Sequence, residues 1–448
     1  MHRVALLLAL VGALHGILYA PLVSDNVQPD SPSYIAAAEA LRDGSYTTPV
    51  DAGFYYELRT RSLVDVTGEP VPREAWSTPE RQIFRPPGYP ALLAVAGGGR
   101  SEVSRWVALV LQALLFGVGV FLLVETVAHW WGPRLALASG ALYAVDPYSK
   151  RYVALLLTEV LAGTLLLACA YLLTRAWRTG SPRWWVGAGL TAGALTLTRV
   201  VLVLVPVLLV VAAIVARRRA VASAAAAAAA AAVFLVPWVA WTSSVAGEPV
   251  LASYGEGYNL LLAAHGEGLE RTQTDLLADP SFRRDVEAAH ATAPDARALS
   301  TDPTAHPRYV VRADDEMRSR ALDRYGDRLG EHPLQVAWEV VYRAFFLWNA
   351  HEDWYQPGGI WLLGLRAIDW VLIVLGGLGA TLALRRGPPV ARAVVIFALL
   401  YTLAMALHHV EARFALPLRG FQFAFVCLAL ATLTAALRDR RALPAPGA

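Results

Sequence analysis

The feature that most constrains this chain is a series of apolar runs, each close to the length of a membrane-crossing helix. A bilayer core about 30 Å thick needs roughly 20 residues of helix. Such runs occupy 4–22, 104–127, 134–149, 153–174, 220–245, 360–384, 391–407 and 417–437, and two shorter ones, 184–198 and 200–216, are split by Arg199. Composition agrees, because 56% of the 448 residues are hydrophobic and only 17% are charged. Soluble domains carry about 25% charged residues. The expectation is an all-α integral membrane protein with a bundle of about ten transmembrane helices.

The arginines orient the bundle. With the N-terminus on the cytoplasmic side, that face receives His2-Arg3, Arg134, the Arg175/Arg178/Arg183 loop, Arg217-Arg218-Arg219, Arg385/Arg386/Arg392 and Arg438/Arg440/Arg441. The opposite face receives the long segments 23–87 and 246–356, both acidic on balance. This is the positive-inside pattern. It predicts a multi-pass protein of the cytoplasmic (inner) membrane, with both termini cytoplasmic and the large loops external. Residues 1–22 also fit a cleaved signal peptide, although the run is long and its basic start is thin.

Three parts follow. Residues 1–245 form an N-terminal membrane module with a first external loop at 23–87, 246–356 an external insertion, and 357–448 a C-terminal membrane module. Residues 87–98 and 334–350 are apolar but too short to span, and read as interfacial or re-entrant helices, with Trp338, Trp348, Trp354 and Trp361 at the headgroup level. Residues 265–330 suggest short amphipathic helices. The nine alanines at 224–232 read as a helical stretch facing lipid or a neighbour. Cys169 and Cys427 lie inside apolar runs and read as core residues. No cofactor is firmly expected; a divalent metal has no ligand cluster to support it, since the adjacent His408 and His409 would point apart on a helix.

Ionisable groups at membrane depth are costly and mark functional sites by default. Here they gather at the external ends of the runs: Asp25 and Asp30 after the first, Arg85 before the segment GYP, Asp146, Lys150 and Arg151 at the end of the third, Glu159 in the fourth, Arg199 between the fifth and sixth, and His408, His409, Glu411 and Arg413 before the last. Charges at helix ends also serve as plain anchors, so convergence on one face is the informative observation.

Residues 29–46 read PDSPSYIAAAEALRDGSY and 85–90 read RPPGYP. An acid, a tyrosine four residues on, a short amphipathic helix and then R-P-P-G-Y-P resemble the first external loop of GT-C glycosyltransferases. The resemblance is to the bacterial relatives of protein O-mannosyltransferases and aminoarabinose transferases in particular. LLLTEVL at 155–161, LTLTRV at 195–200 with Val200 in place of a proline, and HHVEARFALPL at 408–418 follow in the order of that family. Many relatives carry Asp-Glu at the first position, whereas Asp30 is followed by Ser31.

The resemblance implies a GT-C-like bundle that transfers a sugar from a polyprenyl-phosphate donor to a glycan, lipid or protein acceptor at the outer face. It implies membrane lipids as surroundings and no nucleic-acid partner. On this reading Asp30 is the base, with Asp25 second. Glu159 orients acceptor or sugar, or is a protonated packing acid. Arg85, Lys150, Arg199 and Arg413 contact phosphate or sugar, with Tyr34 and Tyr89 beside them. Tyr34 lies four residues beyond Asp30, so on a helix the two share a face. R-P-P-G-Y-P also reads simply as a chain breaker. A transporter or flippase for a polar lipid or solute is the alternative; it lacks the repeat symmetry and midplane charges that such folds show.

Overall fold

The computed structural model describes residues 1–23, 26–28, 30–49, 79–81, 83–207, 209, 220–251, 253–268, 273–292, 306–349 and 360–441. Among them, seven helices are long and apolar enough to cross a membrane: His2–Leu22, Glu102–Trp131, Glu159–Thr179, Val221–Ala246, Ala367–Arg386, Pro389–Ala406 and Ala412–Arg438. Their outward faces carry Leu6, Leu7, Leu10, Leu14, Val374 and Leu403, all exposed. Exposed leucines in such numbers suit a lipid surround, where apolar contact costs nothing.

Helix α1 (His2–Tyr19) packs on α2 (Glu102–Trp131). The close approach depends on Gly117, where a Cβ would stand 2.7 Å from the carbonyl oxygen of Ala9. Small residues at such crossings are the usual device for packing helices in lipid. The alanine stretch serves the same purpose: Ala227 and Ala231 lie against Gly189 and Gly193 of the neighbouring helix Pro182–Thr198.

Two of the expected spans are divided. The run 134–149 forms a helix only over Pro133–Val145; Asp146 then caps a second short helix, α3 (Pro147–Val153), by accepting from Ser149 N at 3.0 Å. The run 153–174 does not start as a helix either, because 154–158 is irregular and helix α4 begins at Glu159 and ends at Thr179. Proline at 147 lacks the N–H that a continuous helix would need. Of the two shorter runs, 184–198 lies in the helix Pro182–Thr198, while 210–216 falls outside the described residues.

The first long loop contains helix α5 (Ser31–Arg42) and an unexpected antiparallel ribbon, β1 (Thr47–Pro49) with β2 (Pro79–Arg81), in which Thr47 pairs with Arg81. Residues 87–98 hold the helix α6 (Gly88–Val95), too short to span, as expected. The insertion forms its own helical layer around Tyr258, Leu261, Phe282, Met317, Ala321 and Val336. One of its helices, His306–Glu331, is 26 residues long, so this part of the insertion is not made only of short helices. Trp338 is exposed and Trp348 donates to Thr402 Oγ1 at 3.1 Å; Trp354 lies outside the described residues. Cys169 and Cys427 are buried free thiols.

Candidate active site

The first loop is pinned to the irregular segment that precedes α4. Asn26 Nδ2 donates to Ala154 O at 2.6 Å, Leu156 N donates to Asn26 O at 3.0 Å, and Ser31 Oγ donates to Leu156 O at 2.9 Å. This interruption of the apolar run therefore has a use. Its free backbone groups bond the loop, and the loop's Asp30 is brought toward Glu159, the first residue of α4.

R-P-P-G-Y-P supplies the second element. Pro87 caps α6, and a Cβ on Gly88 would fall 2.6 Å from both Leu197 O and Thr198 Oγ1. Only glycine lets this helix start abut the residues that precede Arg199. Arg85 is thereby set beside Asp30. Its Nη2 donates to Asp30 Oδ1 at 2.7 Å, its Nε to Ser33 Oγ at 2.8 Å and its Nη1 to Tyr34 OH at 3.1 Å. The guanidinium also stacks on the rings of Tyr34 and Phe84, 4.4 and 4.3 Å from their centres, a favourable cation–π arrangement. Tyr46 OH donates to Arg85 O at 2.5 Å.

The third element is the segment before the last span. Arg413 Nη2 donates to the other oxygen of Asp30, Oδ2, at 2.8 Å and to Glu411 Oε1 at 3.0 Å. Its Nε pairs with Glu411 and lies 3.9 Å from Glu159 Oε1. Arg199 Nη1 donates to Glu159 Oε1 at 3.0 Å, and its guanidinium lies 4.7 Å from the centre of the Phe414 ring. Five charged side chains from five separate parts of the chain thus form one network: Arg85–Asp30–Arg413–Glu159–Arg199, with Glu411 attached to Arg413.

The network lines a cavity of about 640 Å³, within the range for small-ligand sites. It is lined by Asp30, Arg85, Glu159, Arg199, Glu411 and Arg413, by Tyr148, Arg151 and Tyr152, and by Tyr254, Glu256, Asn259 and His408. Val200, Val203, Leu204 and Met405 add apolar lining. The insertion is tied on by Ser253 Oγ, which donates to Phe84 O at 2.6 Å. The start of its helix Glu256–Ala264 is fixed by Asp314, which accepts from Gly255 N at 2.9 Å and Tyr258 N at 3.1 Å.

Burial alone would raise the Asp30 carboxyl, but the guanidinium groups of Arg85 and Arg413 hold it well below the usual carboxylate range. Glu411 is held down to about 2, against its own burial, by Arg413 and His409. Both are anions at neutral pH.

The structure brings together Asp30, Tyr34, Arg85, Glu159, Arg199 and Arg413. It places two other sequence candidates elsewhere. Lys150 is fully buried, donates from Nζ to Gly12 O at 2.7 Å and lies 3.7 Å from the centre of the Phe116 ring, so it joins α3 to α1 and α2 and does not face the cavity. Tyr89 is also fully buried; it donates to Gln112 Oε1 at 2.6 Å and supports Tyr34 edge-on at 5.1 Å. Asp25 lies outside the described residues. Asp146 pairs with Arg419, away from the cluster.

Glu411 and His409 are parts of the network that the sequence marked only as charges before the last span, without a role in the site. The signal was the spacing His409-Val-Glu411-Ala-Arg413, three ionisable residues within five positions just before the last span. Among the described residues, no three His, Cys, Asp or Glu side chains are grouped to hold a metal ion.

The profile of the dolichyl-phosphate-mannose-protein mannosyltransferase family matches residues 85–241. The archaeal oligosaccharyltransferase AglB from Archaeoglobus fulgidus, solved with an inhibitory peptide and a dolichol-phosphate, superposes at a TM-score of 0.54 with 13% identity. That superposition covers 99% of this chain and 52% of the archaeal one. This chain has a GT-C fold. A second structure of the same archaeal enzyme, tethered to an acceptor peptide containing the NVT sequon, gives 0.55 at 13% identity over 98% of this chain and 51% of that one. The chain thus spans about half the length of the archaeal enzyme. ArnT from Cupriavidus metallidurans, bound to undecaprenyl phosphate, aligns over 98% of this chain and 80% of its own at 17% identity, with a TM-score of 0.40. No curated protein matches.

Proposed function

We propose that this GT-C protein transfers a sugar from a polyprenyl-phosphate donor to an acceptor hydroxyl at the outer face of the membrane, by a single inverting displacement. The observation that carries the proposal is Asp30 at the cavity wall, gripped by two arginines, one on each oxygen. Arginine forks suit phosphate oxygens as well as they suit carboxylates. A lipid phosphate entering between Arg85 and Arg413 takes hydrogen bonds that Asp30 now holds. Two effects follow. The cations stabilise the charge that develops on the leaving phosphate. Asp30, relieved of part of its pairing, becomes a better proton acceptor just when the donor is in place.

The displacement then balances simply. The acceptor oxygen attacks C1 of the sugar, the bond from C1 to the phosphate oxygen breaks with its electron pair on the phosphate, and the acceptor proton passes to Asp30. Glu159 orients the acceptor or sugar from its place between Arg199 and Arg413. The apolar lining at Val203 and Met405 suits the first units of a polyprenyl chain. The acceptor is a hydroxyl of a glycan, a lipid or a protein.

Asp30→Asn tests the reading in purified protein supplied with a polyprenyl-phosphate sugar. Transfer should fall about 10³-fold while folded yield persists, since a positioned base contributes about 10²–10⁴. Full activity in this variant overturns Asp30 as the base.

A further inference from the structure

His409 is a buried titratable group that the reaction above does not use. Its Nδ1 lies 2.7 Å from Glu267 Oε1 and its Nε2 lies 3.5 Å from Glu411 Oε1. Glu267 belongs to the insertion, and Glu411 is the carboxylate that grips Arg413. The link is doubled on the backbone, where His409 N donates to Asn259 O at 2.9 Å.

The far end of the link is rigid. Arg343, 2% exposed, donates from Nη1 to Glu267 O at 2.6 Å, from Nε to Ala406 O at 2.7 Å and from Nη2 to Tyr325 OH at 3.0 Å. It therefore clamps the Glu267 backbone to the end of the helix Pro389–Ala406. Burial alone would lower the His409 imidazole, but Glu267 and Glu411 push it up to about 10. At neutral pH it is a fixed cation between two carboxylates. Such a buried arrangement gives little stability over an apolar one of the same size, so its distinctive product is geometry.

We infer that His409 is a positioning residue, which holds Glu411, and through it Arg413 and Asp30, in register with the external insertion that walls the cavity. Glu267 of the insertion and Asp30 of the catalytic loop are separated by more than 200 residues of sequence, and this bridge gives them one common geometry. Its catalytic consequence rests on the transferase reading; the mechanical link stands independently of it.

The test uses the full chain in lipid nanodiscs and the variants His409→Gln, Glu267→Gln, the double variant and His409→Lys. Hydrogen–deuterium exchange should rise in His409→Gln at 408–418 and also at 30–34, with the insertion helix 280–292 unchanged. Unchanged exchange at 30–34 overturns the link. In the transfer assay kcat should fall about tenfold with donor KM within about twofold, the pattern of misplaced reacting groups. The double variant should be no worse than the poorer single, because both act in one chain of contacts, and His409→Lys should recover part of the loss. Unchanged kcat, or additive losses, overturns the positioning role. Glu267→Gln leaves the imidazole in place and carries the same comparison if His409→Gln does not fold. Should the wild-type protein transfer no sugar, the transferase reading falls while the exchange experiment still decides the link.

Discussion

Two buried clusters of arginine and carboxylate differ in what lies beside them. In one, Arg419 Nη2 stands 3.3 Å from Asp146 Oδ1 and 3.5 Å from Asp369 Oδ1, and its Nη1 donates to Gln422 Oε1 at 2.9 Å. These three charged side chains are only 5%, 4% and 1% exposed, and none of them faces the large cavity. In the other, Asp30, Arg85 and Arg413 are 21%, 12% and 16% exposed and all three do. The ionic chemistry is the same. The sealed cluster joins the helix Arg419–Arg441 to Asp146 and to the helix Ile360–Arg386, whereas the open one has room for an incoming anion to exchange with its carboxylate. Access, more than the pairing itself, separates a fastener from a site.

Substitutions can break this contrast. Arg419→Leu leaves two carboxylates buried without their cation and should cost about 3–5 kcal/mol, seen as a large loss of thermal stability in detergent. If the protein stays as stable as wild type, the sealed cluster is not a fastener. Arg85→Lys replaces a planar fork by a point charge and should raise donor KM about tenfold with little change in melting temperature. An unchanged KM would return R-P-P-G-Y-P to a purely structural role.

The open cluster also makes a claim about pH that the sealed one cannot. In the free enzyme Asp30 is held below the usual carboxylate range by Arg85 and Arg413, although its burial opposes them. The acid limb of kcat/KM should therefore sit low. On the proposed reaction donor phosphate shares the two arginines, so the carboxyl pKa should rise in the complex, and the acid limb of kcat should lie about one pH unit above that of kcat/KM. Coincident limbs would mean that phosphate does not loosen the Asp30 pairs. The smallest effect is expected for Lys150→Met. This side chain is buried against Gly12 and Phe116, so stability should change by less than about 1.5 kcal/mol and donor KM should not move. A tenfold weaker donor affinity would place Lys150 back among the donor contacts.

Much of the site was legible because motifs of this kind put their residues close to the chain's own local signals. Asp30 and Tyr34 fall at and just inside a helix start, and Arg85 precedes a proline pair and Gly88. Lys150 misled because a lone cation beside an apolar run has the same local sequence whether it turns to a cavity or to a backbone carbonyl. Arg419 carried no signal at all, since its partners Asp146 and Asp369 are distant in sequence. His409 and Glu411 were visible as charges, yet their importance depends on Glu267, 142 residues from His409.

The sequence by itself determined that the chain is a helical membrane protein, because apolar length acts locally along the chain. It also marked Asp30 and Arg85 through their motifs. Only the tertiary structure decided which charges meet, which face open space and which are sealed. Those outcomes depend on contacts between residues far apart in sequence, and on a break in the helix at 154–158 that hydropathy alone does not register.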